Sequence, residues 1–379
     1  MKKIFILLIV AGFTMCKQKP QADDIFFVDL DKPERVSLFD YFSSIELIPL
    51  ETSPDVLIAG VSKMIIYEDN YYIMDPLQQI VLVFDQNGKF LFKIDKRGRG
   101  PEEYLSLRDI HINPFTKNLE LLDPYGPVHI YDLLGNYIET KRIVFPDFSV
   151  VHMFAAVDSH THIFHSIFEP KKIIYFNLDE KKLLYEDFEF EKTRRLSSFA
   201  TKNLYQYNND WYFFRPIHPI VYKIGKERLE PIFQFDFGKY ASEGTTAVFS
   251  EEAERNLSKC VEELFAQFPY LIQAVRHNSK YVFASLSLKD LDEKANFIYD
   301  KTTGESKFIL EFTEKVWFNS YRGEEIIVTD EYVLMPVQWV DLEERITKEM
   351  LDAKNQKIFE ELMQASMELN PVLIKYWFK

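Results

Sequence analysis

Charged side chains stand directly before prolines at four regularly spaced places, among others: Asp75-Pro76, Asp123-Pro124, Glu169-Pro170 and Arg215-Pro216. Between the first two lies a guanidinium-bearing stretch, Arg97-Gly-Arg99-Gly-Pro-Glu-Glu-Tyr104, and a further pair, Arg194-Arg195, follows later. Paired Arg groups can grip a carboxylate, sulfate or phosphate through two parallel hydrogen bonds. Carboxylates gathered beside them could act as acid and base on a glycosidic bond. The same side chains could equally brace a loop by pairing with their neighbours.

His160-Thr-His162-Ile-Phe-His165 invites comparison with a zinc or copper site. On a strand the first two histidines share a face and the third points away, so three ligands cannot converge; half-exposed structural histidines are expected instead. The chain lacks a Gly-x-Ser-x-Gly elbow, a phosphate-binding Gly-x-x-x-x-Gly-Lys-[Ser/Thr] loop, an Asp-rich calcium loop and a Ser-x-Asp-x-Gly-x-Thr-Trp box. No cofactor and no metal is expected. Trp339, Gln338 and Arg215 could line a surface on which a sugar stacks, although a lone Trp by a hairpin commonly packs.

These loops need a scaffold, and the scaffold is periodic. An apolar strand ending in an aromatic, followed by a polar turn, recurs with anchors Phe84, Tyr131, Phe176, Tyr222, Tyr299 and Tyr376. Their spacings fall near 46 residues except for two longer gaps, each carrying about 31 extra residues. The extra segments, about 240–270 and 341–370, read as helical. Ser250 caps a stripe of Ala253, Leu257, Val261, Leu264 and Phe268; Asp341 and Glu344 open a second stripe of Leu342, Ile346, Met350 and Ala353. A period near 46 is the length of a four-stranded propeller blade, and six anchors predict six blades. The expected fold is an all-β six-bladed propeller of antiparallel blades over residues 44–379. Its last blade lacks an outer strand, which Ser44–Leu50 supplies to close the ring. In such a ring the turns joining second to third strands and the crossings between blades emerge on one face. Asp75, Asp123, Glu169, Arg215, Arg97, Arg99 and Tyr104 are therefore the expected ligand-binding set.

Composition agrees with a large β core. Of 379 residues, 34 Phe, 21 Tyr and 4 Trp make 16% aromatics, with only 12 Gly. A net charge of −14 argues against nucleic-acid binding, which needs a basic face to displace counterions. The charge becomes −16 once residues 1–15, with their two Lys, are removed. Those residues have the proportions of a signal segment: a basic end, then the apolar run Ile4 to Met15, stopping at Cys16 before a polar stretch. This resembles a bacterial lipoprotein signal, with Cys16 acylated and residues 16–43 as tether and N-terminal segment, although Phe13-Thr-Met15 replaces the usual Leu and small residues. The remaining cysteine, Cys260, lies on a helical stripe and is expected to be buried and inert.

The stretch Gly98-Arg-Gly-Pro-Glu-Glu-Tyr104 resembles the Gly-x-Gly-Pro-Gly-Glu-Tyr signature of six-bladed β-propeller lipoproteins of Gram-negative bacteria, with Glu102 in place of the third Gly. Its continuation to Ile112 is similar to the start of an NHL-type repeat, departing from it at Leu107 and Asp109. Both chain ends look like those of the family, so the resemblance covers nearly the whole mature chain. It implies the fold and an outer-membrane, lipid-anchored location, and it carries no established activity. The leading expectation is a monomeric envelope lipoprotein whose propeller face binds a glycan or peptide without catalysis. One alternative is a glycoside hydrolase or lyase using carboxylates and Arg on that face. Another is a scaffold docking an envelope protein through its helical insertions.

Overall fold

A computed structural model describes residues 22, 24–143, 150–166, 173–187, 203–240, 249–289, 291, 293–314, 325–365 and 368–379. Six small sheets, each built on four antiparallel strands, in sequence order in all but the last, form the six blades of a β-propeller. The innermost strands are Lys63–Tyr67, Asp109–Ile112, Met153–Ala156, Leu204–Tyr207, Tyr270–His277 and Ile327–Val328.

All six anchor aromatics lie on third strands: Ile80–Phe84, Val128–Tyr131, Ile173–Asn177, His218–Ile224, Glu293–Asp300 and Val372–Phe378. Each packs in the apolar layer between its own blade and the preceding one. Phe84, for example, meets Leu334 and Leu373 of the last blade, and Tyr131 meets Tyr72 and Val83 of the first. Twisted sheets diverge radially, so a large ring once per blade fills the widening wedge. Burying each one contributes about 1.5–3 kcal/mol.

The ring closes as expected. Phe42–Pro49 pairs antiparallel with Val372–Phe378 and becomes the outer strand of the sixth blade. Asn370, buried just before that blade's third strand, locks the junction. Its amide donates to Glu51 O at 2.7 Å and Val56 O at 2.8 Å and accepts from Ile58 N at 2.8 Å. The segment before the closing strand is more than a tether. Asp24–Phe27 adds in parallel outside the fourth blade, and Glu34–Val36 adds in parallel outside the fifth. Residues 1–15 and Cys16 lie outside the described residues.

Both helical insertions are present. In the first, Ser250 caps helix α1 (Glu251–Arg255) by accepting from Ala253 N, and Asn256 caps α2 (Leu257–Gln267). Ala253, Cys260, Leu264 and Phe268 are buried, whereas Leu257 is exposed. The second departs from the single continuous stripe. Asp341 makes no side-chain cap, and α3 (Leu342–Arg345) stops where Ile346 turns extended. After a short 3-10 turn, Asp352 caps α4 (Ala353–Met363). β-Branched Ile346 and Thr347 favour the extended break. The break lets α4 lie beside the closing strand, where Asn355 Oδ1 accepts the Leu47 N–H at 2.8 Å. A buried N–H on the edge of the sheet is thereby satisfied. Among the described residues no helix is long and apolar enough to cross a membrane.

Candidate functional site: the propeller axis

In the first four blades the residue that opens the inner strand, Lys63, Asp109, Met153 and Leu204, lines the axial cavity. Lys63 and Asp109 open the inner strands of the first and second blades and meet at the axis, Nζ to Oδ1 2.8 Å. Asp109 also accepts from Ile110 N at 3.0 Å and from Phe154 N of the third blade at 3.2 Å. Burial holds the Asp109 carboxyl above its ordinary range even though Lys63 pulls it down. Lys63 also lies 5.5 Å from the ring centre of Trp211 in the fourth blade, a cation–π contact. One ion pair thus touches four blades.

A second cluster joins the remaining two. Arg276 of the fifth blade donates to Ile326 O at 2.9 Å and Val275 O at 2.8 Å, with Nη2 3.9 Å from Glu325 and the guanidinium 5.1 Å from the Tyr205 ring centre. Burial lowers its pKa against the opposing pull of Glu325.

Around these charges the axis opens into two chambers. The larger, about 810 Å³, lies on the face of the inter-blade crossings. Its floor includes Lys63, Asp109 and Glu325, and its walls include Arg108, His152 and Gln338. Pro76 and Pro124 line it, as does Pro336 at the end of the sixth blade's second strand, whereas Pro216 does not. At the mouth Leu77 and Tyr125 are 71% and 68% exposed. The smaller chamber, about 270 Å³, lies beyond Lys63, Leu204 and Glu325, which line both. Trp211 also lines it, with Nε1–H buried and lacking a hydrogen-bond partner. A polyhydroxylated or amide-rich ligand could use these donors and acceptors together.

None of the six described residues expected to bind ligand lines the large chamber. Asp75 is fully buried and accepts from Ala59 N at 2.6 Å, Leu77 N at 2.9 Å and Gln78 N at 3.0 Å. Asp123 is buried too, accepting from Tyr125 N at 3.0 Å and Ser106 N at 3.3 Å. Both carboxylates stitch a strand-joining turn to the adjacent crossing, because a proline turn leaves N–H groups that need acceptors. Tyr104 is buried with its hydroxyl donating to Gln79 O at 2.7 Å, while the Gln79 side chain accepts from Leu107 N at 2.5 Å. These three are braces, and the residues after them, such as Leu77 and Tyr125, reach the mouth.

Arg97 and Arg99 are exposed on the first crossing and away from the cavity. Within that loop Glu103 folds back to accept Gly100 N at 2.6 Å, and a Cβ on Gly98 would collide with its carboxylate. The glycines of the motif therefore make room for Glu103. Arg215 is half-buried at the end of its strand. Glu169, Arg194 and Arg195 lie outside the described residues. Trp339 is half-buried and packs against the apolar layer between the last two blades, as a packing Trp does.

The three histidines do not converge, but two of them are buried rather than half-exposed, His162 at 1% and His165 at 2% exposure. His160 sits in a turn against Asp179, His162 bonds Glu120 at 2.6 Å, and His165 packs edge-on against Phe213. Among the described residues no group of three or more His, Cys, Asp or Glu is placed to hold a metal ion.

Sequence reading missed Lys63, Asp109, Arg276 and Glu325. The available signal was a charged residue opening an otherwise apolar strand, as in Lys63-Met-Ile-Ile and Asp109-Ile-His-Ile. The second of these strands is buried at every position.

Residues 24–376 match the family model described as domain of unknown function DUF4934. The chain belongs to the DUF4934 family. No curated protein matches this DUF4934 chain. Among solved structures it is similar to a Bacteroides fragilis NCTC 9343 protein whose name assigns it to export. That pair shares 16% identity and a TM-score of 0.68 over 94% of this chain and 98% of the other. It is also similar to a DUF4221 member from Bacteroides vulgatus ATCC 8482, with 9% identity and a TM-score of 0.57 over 89% and 97%. At such identities the likeness of the DUF4934 chain to these proteins is one of fold.

Proposed function

We propose that this DUF4934 protein is an exported lipoprotein, anchored in the outer membrane through Cys16, that binds a glycan or peptide segment in its large axial chamber without transforming it. The observation that carries the reading is the 810 Å³ cavity with charged groups on its floor and exposed Tyr125 at its mouth. Such a mix orients a polar ligand through hydrogen bonds while an aromatic face covers it. Export is supported by the signal-like first fifteen residues and by the name of the Bacteroides fragilis relative.

The absence of turnover is argued from Asp109, whose oxygens are held by Lys63 and two backbone N–H groups. A carboxylate so committed is a poor proton shuttle. The hydrolase or lyase reading draws on Asp109 and Glu325 sharing the chamber floor. The docking reading draws on Leu257 and Val340, 58% and 64% exposed on the two insertions.

Soluble residues 22–379 should be screened by thermal shift against glycans and peptides, with product analysis of every hit. A ligand that raises the transition, is recovered unchanged, and loses at least about tenfold in affinity with Tyr125→Ala or Arg108→Ala supports the proposal. Release of a cleaved product establishes the enzyme instead. Failure of all ligands, with a partner protein captured through Leu257 and Val340, establishes docking.

A further inference from the structure

We infer that the outer rim of the fourth blade is a lipid-facing surface, with Ile25 and Phe27 entering the head-group layer. The inference rests on acylation of Cys16, proposed above.

Asp24–Phe27 lies parallel outside Leu229–Asp236, from Asp24 opposite Phe233 to Phe27 opposite Asp236. It is the outermost strand of its sheet. Strand alternation separates its side chains. Phe26 is buried against Phe233, Phe235 and Tyr299, while Ile25 and Phe27 stand 49% and 52% exposed. Two large apolar side chains on an edge strand form a contact surface in search of cover.

Chain length names the cover. Positions 17 to 23 are all that separates Cys16 from Asp24. Fully extended, eight residue steps reach about 28 Å. A lipid on Cys16 therefore holds this strand, before any other part of the propeller, close to the bilayer. Of the acidic side chains at this rim, exposed Asp24 faces the approach directly. The acidic side chains Asp29 and Asp31 that follow the strand are paired with Lys32 and Lys239. With the rim on the membrane, the axis lies along the surface and the chamber mouth stays open sideways.

Cys260 is buried, so single reporter cysteines can be placed elsewhere. Phe27→Cys reports on the proposed rim. Leu91→Cys reports on the outer strand Phe90–Ile94 of the first blade, across the ring and likewise exposed. Each acylated full-length protein, carrying an environment-sensitive fluorophore, is reconstituted in phosphatidylethanolamine–phosphatidylglycerol vesicles containing a head-group spin-labelled lipid. Mass spectrometry of the N-terminal peptide first establishes acylation, so failure of that reading is seen separately. With acylation present, quenching should be at least about threefold stronger at position 27 than at position 91, as a shallow interfacial depth requires. Equal quenching at both positions overturns the inference. So does a blue shift at position 27 without vesicles together with a doubled molecular mass, because a second copy of the chain would then be the cover.

Discussion

Lys63 and Asp109 lie one blade apart in sequence yet meet at the propeller axis, with Nζ 2.8 Å from the carboxylate and both side chains largely buried. The pair is at once the floor of the large chamber and a joint between blades. Its Asp is held by the third blade through Phe154 N–H, and its Lys lies over Trp211 of the fourth. The chamber floor and the joint between blades therefore share the same atoms.

Removing one member of this pair leaves the other, largely buried charge uncompensated. Lys63→Met alone should cost about 3–5 kcal/mol in urea unfolding. Adding Asp109→Leu should recover a large part of that loss, since two apolar groups need no charge partner. Purely additive losses in the double variant would show that the two side chains act independently.

Asn355 on α4 gives the Leu47 N–H its acceptor at the outer edge of the sixth blade. Asn355→Ala strands that donor and should destabilise the fold by about 1–3 kcal/mol. Hydrogen exchange supplies the specific readout: the Leu47 amide should exchange faster than its neighbours. Unaltered protection at Leu47 would refute an anchoring role for the second insertion.

Acid should weaken the protein well before its carboxylates titrate. Burial is the leading cause that pushes His111, His152 and His277 from 6.5 down to about 3. Above pH 6.5 these imidazoles are neutral in both states, so the folded form suffers no penalty. As pH falls below 6.5 the unfolded chain takes up protons that the folded chain refuses until about pH 3, and stability declines across that window. Between pH 7 and 5.5 the three together should remove about 3–4 kcal/mol. Urea midpoints at the two pH values provide the check, and coincident midpoints would contradict it.

The blade count, the ring closure by the N-terminal strand and the presence of two helical insertions were legible because they rest on local, repeated demands. A wedge between twisted sheets needs a large ring at the same place in every blade, and Phe84 through Tyr376 record that need as a period. Boundaries inside the second insertion were less legible, since α4 is placed by Leu47, which is remote in sequence. The candidate site divided along the same line. Proline spacing identified the turns that ring the chamber, but the charged residues just before the prolines, Asp75 and Asp123, answer a local demand from orphan N–H groups.

By itself the sequence determined the repeating architecture, the signal-like beginning and the net negative charge. Tertiary structure alone decided which charges meet. Lys63, Asp109, Arg276 and Glu325 come from different blades, and no spacing along the chain encodes their convergence. Only closure of the ring brings their strands to one axis, where burial of the side chains makes each charge depend on its partners.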